Sequence, residues 1–251
     1  MTATQSSAHM QAISVRGTDI RYVESGRGRP IVFVHGGAGD HRIWDNQRSV
    51  VAKRHRFIAL DQRYFGTAPW PDDGVQFSLL THVSDLIAFV QALDLGPVWL
   101  VGHSYGAVVV LATAIQCSEL ARGLFINEPP LTSVLDDPAC AEVRRSWLQE
   151  AERIAAVAQT SDPGAAARSF YEWVNGQPGG FDALSAEERA VRVQNGRTIA
   201  LQLSPATRAS ITCTQLGQIR VPVPSRRAHS RAATFSGWRK GFIVASLDRR
   251  S

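Results

Sequence analysis

Ser104 stands in the run Gly102-His103-Ser104-Tyr105-Gly106, a spacing that lets one hydroxyl act as a nucleophile. Glycines two residues to either side allow a sharp turn from strand to helix. The serine is then held in a strained backbone conformation with its side chain pushed outward. A helix beginning just after Ser104 would aim its positive end at the same place, where negative charge grows as a serine attacks a carbonyl. The pentapeptide alone also describes an ordinary glycine-rich turn with an incidental serine. Context decides between them: Val98-Trp99-Leu100-Val101 reads as a buried strand directly before it, and Ala107 to Ile115 as a buried helix directly after.

Two further segments follow apolar strands. His35-Gly36-Gly37-Ala38-Gly39-Asp40 follows Pro30-Ile31-Val32-Phe33-Val34, and Asp61-Gln62-Arg63-Tyr64-Phe65-Gly66 follows Phe57-Ile58-Ala59-Leu60. The first could be a phosphate cradle, but it has neither the Lys-Ser/Thr ending of a P-loop nor the spacing of a dinucleotide fingerprint. His35 is read as a loop hydrogen-bonder and not a base, Asp61 and Arg63 as braces of their turn, and His103 as pointing away from Ser104.

In this order and spacing the three segments resemble the α/β-hydrolase superfamily over roughly residues 12 to 223. The capped esterase, lactonase and perhydrolase-like branch is the best match. The resemblance implies a serine hydrolase acting on a small carboxylic ester or lactone through an acyl-enzyme, with no cofactor and no metal. Ser104 would be the nucleophile, and the backbone N–H groups of Gly37 and Tyr105 would form the oxyanion hole. Losing one such donor typically costs ~10²–10³ in rate.

The elements that must hold these groups alternate strand and helix, which predicts an α/β fold with a doubly wound, mostly parallel sheet. Residues 11–130 read as the N-terminal part of the core. Residues 131–203 read as a helical cap, with helices near 139–159, 163–175 and 186–202. Asp137-Pro138 and Asp162-Pro163 offer N-caps with proline at the first helical position, and Ser185-Ala186-Glu187-Glu188 offers a capping box. Residues 204–223 return to the core, with a strand resuming over Ile219 to Val223. Trp147, Phe170, Tyr171 and Trp173 either line an apolar acyl pocket or pack the cap on the sheet.

The family pattern breaks after Val221. A serine nucleophile needs a histidine and an acid, which in this superfamily follow in the order Ser, Asp/Glu, His. His229 is the one histidine after Ser104, and it comes too early for the base, so the triad histidine is not identified. Glu128, in Asn127-Glu128-Pro129, occupies a position that some members use for the acid; the alternative is that the two prolines simply launch the cap. Residues 224–251 hold five Ser and six Arg, as expected of a shifted frame or truncation in a GC-rich gene, or of a divergent but genuine C-terminus. The core is then incomplete, and this form is expected to be nearly inert. The rival reading is a catalytically inactive, ligand-binding member of the superfamily.

Composition narrows the partners. Of 27 basic residues, 20 lie in residues 1–221 with 21 of the 22 acids. The net charge of +5 therefore belongs to the tail, and no nucleic-acid partner is expected. No apolar run reaches the ~18 residues of a membrane span, so no membrane partner is expected either. The polar stretch Met1 to Met10 reads as a disordered leader. Three widely spaced cysteines without a CxxC fit a cytoplasmic location. Oligomeric state is not legible.

Overall fold

The computed structural model describes residues 9–134, 138–207 and 210–223. Residues 1–8 of the expected leader, Asp137 and the atypical tail with His229 lie outside the described residues; Met10, read as the end of the leader, instead opens the first strand, where it pairs with Val23. Six strands are present among them: β1 Met10–Val15, β2 Thr18–Ser25, β3 Pro30–Val34, β4 Arg56–Leu60, β5 Val98–His103 and β6 Ala121–Asn127. They form one sheet in the order β1-β2-β4-β3-β5-β6. β1, β2 and β4 pair antiparallel, and β4, β3, β5 and β6 pair parallel. The continuous apolar runs of β3 and β4 take inner places, since both of their faces are covered.

Helices α1 Asp45–Val51, α2 Leu79–Ala92 and α3 Tyr105–Gln116 connect the strands. Ser78 caps α2 by accepting from Thr81 N–H at 3.0 Å, and the buried faces of α2 and α3 share one core with the sheet. None of the described helices is long and apolar enough to cross a membrane.

Beyond β6 come α4 Ala141–Thr160, α5 Pro163–Asn175, α6 Ala186–Gln194, α7 Ile199–Leu203 and α8 Cys213–Leu216. Of these, α4, α5 and α7 enclose a separate small core around Ala151, Ile154, Ala167, Phe181 and Ile199. Ala38 of the His35–Asp40 loop joins it. Asp162 and the Ser185–Glu188 box cap α5 and α6 as the sequence predicts.

Two expectations change. The helix expected over 186–202 breaks at Asn195, because that side chain leaves the helix pattern to bond the core loops. Residues 219–223 form no strand. Pro222 supplies only a carbonyl, which accepts from Leu124 N–H of β6 at 2.9 Å, and it has no N–H to continue a ladder.

Asn195 joins the helices to the sheet. Its Oδ1 accepts from Gly66 N–H at 2.7 Å, and its Nδ2 donates to Asp40 at 2.9 Å and to Val191 O at 2.8 Å. Arg42 completes the junction, donating to both Asp40 oxygens and to Gln194 Oε1. Burial disfavours the Asp40 charge, but bonds from Arg42 and Asn195 outweigh it and hold the carboxyl at about 2. Replacing Asn195 with leucine strands the Gly66 N–H and removes a partner of a buried carboxylate. Urea unfolding should show a loss of about 2–3 kcal/mol. A loss below about 0.5 kcal/mol would mean that the junction contributes little.

Candidate active site

The elbow at Ser104 is built from close approaches. Ser104 has φ 51° and ψ −120°, between β5 and α3. A Cβ on Gly102 would lie 2.6 Å from Ala107 Cα, and one on Gly106 would overlap the backbone carbonyls of Val34 and His35. Neither position tolerates a side chain, so the glycine spacing reports backbone crossing here. Asn127 holds the turn twice. Its carbonyl accepts from Ser104 N–H at 2.8 Å, and its amide bonds His103 Nδ1 at 2.9 Å. Burial, with Arg192 nearby, lowers the His103 pKa to about 4, so this ring is neutral and occupied with Asn127.

The glycine-rich loop lies against the elbow. A Cβ on Gly36 would stand 3.1 Å from Ser104 Cβ. His35 is fully buried: Gln62 N–H donates to its Nε2 at 3.1 Å, and its Nδ1 donates to Gly36 O at 2.9 Å. Gln62 also donates to His35 O at 2.9 Å. Burial lowers the His35 pKa, and both ring nitrogens are used in fixing the loop. Arg192 of α6 donates to Ala38 O at 3.2 Å, where Ala38 takes φ 48°.

Tyr105 opens α3, whose first N–H groups have no intrahelical acceptor. Its hydroxyl donates to His82 Nδ1 at 2.6 Å, while His82 Nε2 donates to Arg63 O at 3.2 Å. Desolvation holds the His82 pKa at about 3, which keeps it an acceptor for Tyr105. Arg63 in turn pairs with both oxygens of Asp85, at 2.7 and 2.9 Å. Asp61 accepts from the backbone and ring of His41. Asp40, His41 and Asp61 present donor atoms within 4.8 Å of one another. Arg42, Asn195 and each other already engage them, and the set acts as a structural network.

A cleft of about 990 Å³ opens over Ser104 and Tyr105. Glu128, Trp147, Phe170, Trp173 and Gln202 also line it. Trp147 and Phe170 both pack on Trp173, with ring centroids 5.4 and 6.1 Å away. Tyr171 instead packs on Phe181 and beneath Arg192. Glu128 takes φ 50° at the end of β6, and desolvation pushes its carboxyl up to about 7.

The profile of the alpha/beta hydrolase family matches residues 31–249. The chain belongs to the alpha/beta hydrolase family. It is 32% identical over 159 residues to 2-hydroxymuconate semialdehyde hydrolase of Pseudomonas sp. strain CF600, covering 58% of this chain and 56% of that protein. The chain spans between 40% and 56% of the length of the curated relatives it matches. Among solved structures, the epoxide hydrolase CorEH superposes with a TM-score of 0.69 at 21% identity, over 86% of this chain and 81% of that one. Est816, described as an N-acyl homoserine lactone degrading enzyme, gives 0.64 at 20% identity, over 85% and 79%. These two share the fold.

Within this alpha/beta hydrolase the loop of Gly37, the elbow of Ser104 and Tyr105, and Glu128 come together around the described site. His229 lies outside the described residues. Asn127, Asn195, Arg192 and Gln202 had no sequence signal, because each acts through a partner distant in the chain.

Glu128 makes the site pH-sensitive in a defined direction. Its pKa rises from 4.5 to about 7 on folding, so the folded protein keeps a proton that the unfolded chain releases between those values. Stability from this group is present below about 4.5 and lost as pH rises through about 7. Glu128→Gln should match the parent at pH 4 and exceed it at pH 8 by on the order of 0.5 kcal/mol, after discounting for solvent screening. Thermal melts across this range provide the check, and a gap that shrinks with rising pH would contradict it.

Proposed function

We propose that this chain is a serine hydrolase cleaving small carboxylic esters or lactones through an acyl-enzyme. As the base of the triad takes its proton, Ser104 Oγ attacks the carbonyl carbon, and the N–H groups of Gly37 and Tyr105 receive the oxyanion. The C–O bond to the alcohol breaks as that proton passes to the departing oxygen, leaving an ester on Ser104 that water, deprotonated by the same base, hydrolyses to the acid and free Ser104. Glu128 is the acid of the triad; an imidazolium brought beside it would pull its pKa back down. The observation carrying this reading is the strained Ser104 backbone at the start of α3, lining an apolar-walled cleft. A hydroxyl nucleophile forms a stable ester intermediate with an acyl group, which favours acyl substrates. Likeness to a named hydrolase supports hydrolytic chemistry.

A second reading is a ligand-binding member without turnover. It is favoured by one observation: among the described residues, Ser104 Oγ has no hydrogen-bond partner, so no base is in contact with it.

A fluorophosphonate probe separates the two, because phosphonylation needs an activated serine. The serine-hydrolase reading predicts labelling of Ser104 that disappears in Ser104→Ala, together with any esterase turnover. A chain that resists the probe yet binds esters supports the second reading. Turnover retained in purified Ser104→Ala removes Ser104 from the chemistry.

A further inference from the structure

Thr198 determines which way the Gln202 amide faces. The Thr198 hydroxyl has one hydrogen, and it donates that hydrogen to Asn195 O at 2.7 Å. Toward Gln202 the same oxygen can only accept, so the atom 2.7 Å away is the amide nitrogen Nε2. Gln202 Oε1 therefore points the other way, at the oxyanion loop, where a Cβ on Gly37 would overlap it. Gln202 is only 8% exposed and lines the same cleft as Ser104. The site thus holds a fixed acceptor against the loop assigned to donate. A carbonyl oxygen repels the lone pairs of a substrate carbonyl or oxyanion, so its complement is a donor elsewhere on the substrate.

We infer that Gln202 is a specificity-determining residue that selects acyl groups bearing a hydroxyl or N–H on the carbon next to the attacked carbonyl. This rests on the reading of Ser104 and Gly37 above. With the substrate carbonyl oxygen at Gly37, that carbon's substituent is the donor nearest to Gln202 Oε1. Phe170 Cζ lies 3.2 Å from the same Gly37 Cβ position, and Trp147 and Trp173 extend the apolar wall. The rest of the acyl group is therefore apolar, and aromatic groups suit it. A site built to accept such a bond discriminates against the analogue lacking it, because its own polar atom is left unpaired.

The test uses the full chain carrying Ser104→Ala, so that esters stay intact. Methyl mandelate, as separate enantiomers, and methyl phenylacetate differ by one hydroxyl; binding is followed by quenching of Trp147 and Trp173 fluorescence. One mandelate enantiomer should bind about fivefold or more tightly than phenylacetate. Adding Gln202→Met should abolish that preference by weakening mandelate and tightening phenylacetate, whose complex no longer leaves an acceptor unpaired; the retained phenylacetate binding also shows that the variant is folded. Equal affinities before the second substitution, a preference surviving it, an equal weakening of both esters, or no binding of either would overturn the inference. Fluorophosphonate labelling of the parent chain is scored separately. Labelling with equal ester affinities removes only the role of Gln202. Mandelate preference without labelling removes serine chemistry and keeps Gln202 as a binding determinant.

Discussion

Everything at the site depends on one backbone crossing. The carbonyls of Val34 and His35, at the end of β3, pass so close to Gly106 that no Cβ fits between them. That approach brings the first turn of α3 directly against the glycine-rich loop. Ser104 must then accept φ 51°, a conformation costing about 1–3 kcal/mol for a residue with a side chain. The strain persists because its neighbours fix the turn from several sides: Asn127 O on the Ser104 N–H, Gly102 against Ala107, and Gly36 against Ser104.

Around this crossing the chain places neutral histidines, two of them buried, where reactive groups could have been. His35 and His82 each spend both ring nitrogens on structural partners, Gly36 O and Gln62 N–H for the first, Arg63 O and the Tyr105 hydroxyl for the second, and His103 commits its Nδ1 to the Asn127 amide. Desolvation keeps all three uncharged near neutral pH. They act as rigid connectors between the loop, the elbow and α2. Outside this shell, the Asp40–Arg42–Asn195 junction sets where α4 to α7 lie, and so which residues roof the cleft.

The sequence made the sheet and the elbow legible because both are local. β3 needs only a run of apolar, β-branched residues, and the turn at Ser104 needs only its two glycines at the right spacing. The same reasoning reads Asp162 and Ser185 as helix caps, since a cap and the N–H that donates to it lie within three residues. It fails where the determining contact is remote. Nothing near Asn195 announces that its amide reaches Gly66 and Asp40, so the helix expected to run to 202 stops at Gln194. Nothing near Gln202 says that Thr198 turns its carbonyl toward Gly37. The strand expected from Ile219 fails for a local reason, the missing N–H of Pro222.

The claim that most of this account supports is that Gly37 and Tyr105 donate to a charge developing on a group bonded to Ser104. A crystal structure of the full chain after reaction with a small alkyl fluorophosphonate tests it directly. The account predicts phosphorus bonded to Ser104 Oγ, with one non-bridging oxygen about 2.7–3.1 Å from both backbone nitrogens. An adduct on another residue, or a phosphoryl oxygen turned away from both N–H groups, would contradict it.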